Sequence, residues 1–284
     1  MHRVEPSEPV PSPFLIGELI QDAWDIGVKC WQPFLIMGLI VGGFTFAMVM
    51  GGYICSVASF LFIVIVAKDV NIIGTIIALV VIALLVLLVA SLVLVWLYAG
   101  QIAYSLAIVR GEEPPVSVLF SGMKNFWNVL IAGANIVIVI LCVDFVLFLV
   151  PVYLPILYLV VNPDAAPIVF ILLVLSATFG TIATIIAVLF LTVMFSLTYF
   201  FVVDRQQGPI EAMKSSWRFV WAHFWKMLGS VFLIFVFMMV ANMIPFVGFF
   251  LVAPVSLCLY TVLYLKITGQ QHGLVVSPNG RDML

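Results

Sequence analysis

Four long stretches of this chain carry no charged residue: Gln32 to Ala67, Val70 to Val109, Ala165 to Val203 and Met227 to Leu265. Each exceeds the roughly 20 apolar residues that cross a bilayer as a helix, and Phe145 to Pro163 comes close. A backbone in hydrocarbon must pair its N–H and C=O groups internally, and at these lengths only a helix does so. The expected fold is therefore all-α, an integral membrane helix bundle. Of 284 residues, 65% are hydrophobic and 8% charged, against about 25% charged in a soluble domain, so no water-soluble core could absorb the apolar surface.

Between the apolar stretches one pattern recurs. From Pro209 to Leu228, Ile210, Met213, Trp217, Val220, Trp221 and Phe224 share one helix face, with Glu211, Lys214, Ser215 and Arg218 opposite. Pro209 suits the first helical position, and the pattern predicts an amphipathic helix lying in the membrane interface. Placing Glu18 on Glu211 aligns Trp24 with Trp217, Trp31 with Phe224 and Leu35 with Leu228, without a gap. Ser12-Pro13 is the expected start of that first copy. A third copy begins at Pro115, where Lys124 to Leu130 matches Ala222 to Leu228.

Fixed recurrence marks repeated units. The expectation is one transmembrane domain, 12–266, built as modules 12–110, 111–205 and 206–266. Each module has one amphipathic interfacial helix and two spans, six spans in all. A disordered tail, 1–11, and a polar tail, 267–284, flank the domain.

With six spans, Arg3, Lys29, Arg110, Lys124, Arg205, Lys214, Arg218, Lys226, Lys266 and Arg281 share one side, and only Lys68 lies on the other. The positive-inside rule then makes both termini and all three amphipathic helices cytoplasmic. Gln32 to Ala67 would measure about 54 Å as helix against about 30 Å of hydrocarbon, so a break or bend is expected at Gly51-Gly52. Pro151 is expected to end the third span, with an apolar loop through Tyr153, Pro155 and Tyr158 after it. Small residues at Gly43, Ala47, Gly51, Cys55 and Ser59, and again at Ser176, Gly180 and Thr184, read as helix-packing stripes. Asn135 and Asn242 read as hydrogen-bonding groups between helices, and Pro254 as a kink.

Asp144 is the one carboxylate inside a span, and Lys68 the only base expected in that half of the membrane; together they form a candidate intramembrane polar site. Asp22 and Asp25 on the first amphipathic helix and Lys214 and Arg218 on the third carry opposite signs and are expected to pair. Trp24, Trp31, Trp127, Trp217, Trp221 and Trp225 read as interface anchors. The cysteines are scattered, the histidines lack carboxylate partners at motif spacing, and no phosphate-cradling glycine loop is present. No catalytic, cofactor-binding or metal residue is therefore assigned.

Gly208-Pro-Ile-Glu-Ala-Met-Lys-Ser-Ser-Trp217, continuing through Phe224-Trp225 and again at Gly248 to Pro254 and Tyr264, resembles uncharacterised bacterial polytopic membrane proteins. It looks like the membrane domain attached to some glycerophosphoryl diester phosphodiesterases. The likeness covers mainly the last 80 residues. It implies a fold and a bacterial plasma (inner) membrane setting, and carries over no catalytic residue. The reading that follows is a non-enzymatic accessory or scaffold protein, acting in a membrane complex or by lipid association. Its expected partners are membrane lipids, and other integral membrane proteins or a second copy, but not nucleic acid. The alternative is a transporter or channel for a lipid or small apolar solute, favoured by repeated two-span modules.

Overall fold

A computed structural model describes residues 16–66, 72–162, 166–241, 243 and 247–270, and among these all regular structure is helical. In chain order come α1 (Ile16–Lys29), α2 (Trp31–Val66), α3 (Ile72–Val109) and a 3-10 helix (Val116–Lys124). Then α4 (Phe126–Asp144) continues through a π turn (Phe145–Leu149) into α5 (Val150–Val161). The rest is α6 (Ala166–Phe195), α7 (Thr198–Asp204), α8 (Pro209–Ala222), α9 (Phe224–Ala241) and α10 (Val247–Ile267). The expected tail 1–11, the Ser12-Pro13 start, Lys68 and Asn242 lie outside the described residues, as does all of the C-terminal tail beyond Gln270.

The protein is a multi-pass membrane protein. Trp31–Ile54, Val80–Val109, Phe126–Val161 and Pro167–Asp204 are each long and apolar enough to cross a bilayer. The pair α8 and α9, bent by 100°, passes the same test together, and Pro254–Ile267 is a shorter apolar helix.

Each short helix is separated from the long apolar helix after it by a single residue: Cys30, Asn125 and His223. These break residues do the same backbone work. Their N–H groups close the short helix, on Ile26, Gly122 and Val220, and their carbonyls accept the N–H of Phe34, Val129 and Met227 to open the long one. Both backbone groups of each break residue are thus paired at the bend, as burial in a membrane protein favours.

Packing is equally regular. The 3-10 helix lies on α3, α8 lies on α6 and α7, and α1 lies on α10, so the order of contacts closes on its starting point. The seams differ in chemistry. A Cβ added at Gly100 would stand 1.8 Å from the Leu119 carbonyl oxygen, and one at Gly122 would stand 2.2 Å from that of Trp96, so only glycines allow the 3-10 helix its seat. Trp96 Nε1 then donates to the Phe120 carbonyl at 3.1 Å. On the second seam Ser216 Oγ donates to the Met194 carbonyl at 2.7 Å. On the third, Lys266 meets Asp22 at 2.5 Å.

Three local expectations are corrected. α2 runs unbroken through Gly51-Gly52, because a helix interior tolerates glycine at about 1 kcal/mol each, whereas an interrupted backbone in hydrocarbon costs several. A Cβ at Gly43, Gly51 or Gly52 would meet nothing within 4 Å, so that stretch of α2 is not a packing stripe. Pro151 does not end the third long helix. The π turn just before it loosens the hydrogen-bond ladder where the proline ring would crowd a carbonyl, and the chain stays helical to Val161. The α6 stripe does pack: a Cβ at Gly180 would lie 2.9 Å from the Leu147 carbonyl oxygen in that π turn.

Candidate functional site

The three long helices on which the short ones rest, α3, α6–α7 and α10, end alike. Tyr104 to Arg110, Tyr199 to Arg205 and Tyr260 to Lys266 each set a tyrosine six residues before a base. Each helix then stops at a left-handed residue: Gly111 (φ 83), Gln206 (φ 52) and Gly269 (φ 73). Glycine fits such a position at no steric cost, and the N–H groups that follow fold back on the last turn. Glu112 N–H reaches the Ala107 carbonyl, Gln207 N–H that of Phe201, and Gln270 N–H that of Leu265.

These ends converge on the Asp204 carboxylate, whose side chain is only 8% exposed. Arg110 Nη2 donates to Asp204 Oδ1 at 2.6 Å and to Gln270 Oε1 at 2.8 Å. Tyr264 Oη donates to Asp204 Oδ2 at 2.8 Å, and Gln270 Nε2 reaches the same oxygen at 3.4 Å. One carboxylate therefore ties together α3, α7, α10 and the chain just beyond α10. Aromatic rings floor the cluster: Tyr264 stacks on Phe200 at 5.3 Å and meets Phe201 edge-on at 5.2 Å. The Arg205 guanidinium lies over Phe201 and Phe219, 5.3 and 5.7 Å from their centroids. A little deeper, the Ser105 and Thr261 hydroxyls bond at 2.9 Å between α3 and α10.

Chemically this is a fastening. Asp204 already accepts from a guanidinium, a phenol and an amide, so most of its accepting capacity, about four lone pairs in a carboxylate, is used within the fold. A crevice of about 460 Å3 opens beside it, with Arg110, Glu112, Glu113 and Asp204 facing Ala103, Leu106, Val118 and other apolar residues. Among the described residues no three His, Cys, Asp or Glu side chains stand close enough to hold a metal ion.

The residues singled out from the sequence fall as follows. Asp144 ends α4, half-buried, and no ion pair or side-chain hydrogen bond reaches it among the described residues. Because the helix continues to Val161, Asp144 sits near the middle of a span and not two turns from its end. Lys68, its expected companion, lies outside the described residues. Asp22 pairs with Lys266 of α10, and among the described residues no ion pair joins Asp22 or Asp25 to Lys214 or Arg218. The physical reason is placement: α1 rests on α10, whereas α8 rests on α6 and α7. Asp25 is half-buried, Lys214 is exposed, and Arg218 lays its guanidinium over the Phe219 ring at 5.7 Å.

Trp24, Trp31, Trp127, Trp217, Trp221 and Trp225 all leave their indoles on the outer surface of the bundle, and Trp217 and Trp221 stack on one another at 6.3 Å. Asn135 spends its amide on its own helix, donating to the Ile131 carbonyl at 2.8 Å, and does not bridge helices.

Sequence reasoning used Arg110, Arg205 and Lys266 only to orient the chain, named Tyr264 only in a family resemblance, and passed over Asp204 and Gln270. The threefold Tyr-x5-Arg/Lys spacing was the signal that could have found them. Comparison with models of known protein families, with curated proteins and with solved structures finds no match to this chain.

Proposed function

We propose that this protein is a non-enzymatic accessory or scaffold protein of a bacterial plasma (inner) membrane, with three modules of one interfacial helix and two spans. The observation that carries this reading is the Arg110–Asp204–Tyr264–Gln270 cluster. Polar side chains of the kind that elsewhere serve a substrate are here spent fastening helix ends to one another. What the bundle then offers outward is a broad apolar wall and three short helices rimmed with tryptophan. Such a surface suits binding to lipid, to another integral membrane protein or to a second copy.

Six spans follow when α8 is taken as interfacial, since it meets α9 at 100°. α9 alone, 18 residues, then measures about 27 Å, and α10, 21 residues, about 32 Å, close to the hydrocarbon thickness. The aligned break residues Cys30, Asn125 and His223 support the repeat, and the count of basic residues supports cytoplasmic termini. The likeness to a phosphodiesterase-linked membrane domain rests mainly on the residues from Gly208 onward.

Purification from native membranes in mild detergent should bring down an integral membrane partner, or a second copy, at fixed stoichiometry. A chain that runs alone as a monomer would remove the scaffold reading. Orientation is tested separately with Glu112→Cys and Glu211→Cys, both at exposed positions, in a background lacking the native cysteines. Membrane-impermeant thiol reagents should label neither in intact cells and both in broken ones; labelling from outside would overturn the topology.

A further inference from the structure

Between α1, the start of α2, α9 and α10 lies a cavity of about 530 Å3. Trp24, Gly27, Trp31, Phe34, Phe237 and Cys258 are six of the twelve described residues that line it, and all twelve are apolar. Water would forgo its hydrogen bonds there, whereas hydrocarbon loses nothing. An apolar cavity of roughly 150 Å3 suffices for one benzene ring, so this one has room for about twenty carbons. A whole helix about 10 Å across and 20 Å long would need roughly 1,600 Å3, so an extended hydrocarbon chain matches the enclosed volume and a helix seated inside it does not.

The cavity also has a direction. Pro254, at its deep end, stands about 20 Å along α10 from Ile267 at 1.5 Å per residue, while α1 walls the shallow end and is held to α10 by Asp22–Lys266. It is continuous with the surface that faces the bilayer. Trp24, Val28 and Trp31 are exposed at its rim, and Phe235, Val236, Met239 and Val240 run outward along α9 beside Phe237.

We propose that this cavity is a binding site for one acyl chain of a membrane phospholipid, which enters from the surrounding bilayer and leaves its headgroup at the interface near Trp24 and Trp31. The site rests on the reading of the bundle as embedded in lipid, and the test separates the two.

The full chain is reconstituted in nanodiscs containing a phosphatidylcholine with a photoactivatable diazirine near the end of one acyl chain, irradiated, and mapped by mass spectrometry. Label is expected on peptides containing Phe34 and Cys258, and also on the outward residues Phe179 and Ile182 of α6, which report ordinary lipid contact. Gly27→Phe fills the cavity, and because a Cβ there meets nothing within 4 Å the backbone need not move. It should lower labelling at Cys258 at least fivefold and leave Phe179 unchanged. Gly51→Phe, equally open but outside the cavity, should alter neither.

Wild-type label confined to α6 would overturn the acyl-chain site while leaving the membrane reading intact, and label at neither place would overturn both. Undiminished label at Cys258 in Gly27→Phe would overturn the site as well. So would a dimer in native mass spectra that Gly27→Phe dissociates while the lipid label persists.

Discussion

The two ends of the bundle are made of the same apolar residues and are used in opposite ways. Along α3, Leu97, Ile102 and Val109 are buried, while Leu84, Leu87 and Val89, two to four turns earlier, are exposed, Leu87 to 65%. Along α6 and α7, Met194, Phe200 and Phe201 are buried, whereas Phe179, Ile186 and Leu189 face outward. Burial begins where the short helices begin, because they wedge between the long ones and bring the glycines, hydroxyls and charges that draw helices together. At the other end, among the described residues, the seat of Gly180 on the π turn is the one such device, and it joins α6 to α4 and α5 alone. In hydrocarbon a leucine gains little by leaving lipid for a neighbouring helix, so α3, with no such seat from Val80 to Val89, stays exposed there. Apolarity places the chain in the membrane, and polarity assembles it there.

That contrast can be broken at the packed end. Arg110→Met should have the largest effect, because it takes the charged partner from the Asp204 side chain, 8% exposed, and leaves only Tyr264 and Gln270, and breaking a buried pair costs about 3–5 kcal/mol. Denaturation in mixed micelles should show the loss, and Arg110→Met with Asp204→Leu should recover most of it. A loss under about 1 kcal/mol for the single change would mean that the cluster is not the fastening. Next, Gly100→Ala forces the 3-10 helix off α3 and should cost about 1–3 kcal/mol by the same measurement. Gly43→Ala, on the open part of α2, should lie within about 0.5 kcal/mol of wild type or stabilise slightly.

A smaller effect sharpens the ring closure. A double-mutant cycle of Asp22→Asn and Lys266→Met should give a coupling of about 1–2 kcal/mol. The same cycle with Arg218→Met in place of Lys266→Met should give none. A reversed result would restore the pairing expected between α1 and α8. Smallest of all, Gln206→Gly should raise the melting temperature slightly, since a side chain at φ 52 costs about 1 kcal/mol that glycine avoids. No rise would mean that the Gln206 amide, which donates to the Val203 carbonyl at 2.7 Å, already offsets the strain.

Much of the architecture was legible because it is written locally. The apolar spacing around Trp24 and Trp217 announces the short helices α1 and α8, and the long uncharged stretches announce helices by length. Proline and glycine misled for a common reason: their effect depends on what adjoins them. Pro151 is absorbed by a π turn that no residue pattern specifies. Gly51-Gly52 stays helical because no neighbour approaches it, while Gly100 and Gly122, in no stripe, mark the tightest contact described. The charged site was missed because its members come from three helix ends, each of which reads as an ordinary basic loop when taken singly.

From its sequence alone the chain is committed to helix and to a bilayer, since both follow from runs of apolar residues whose backbone has no partner but itself. Only the tertiary structure decided that Asp22 belongs to Lys266 and Asp204 to Arg110, Tyr264 and Gln270. A buried charge is matched to whichever helix end packs beside it. Here that turned on α10 returning to lie against α1, a contact between distant parts of the chain that no local pattern encodes.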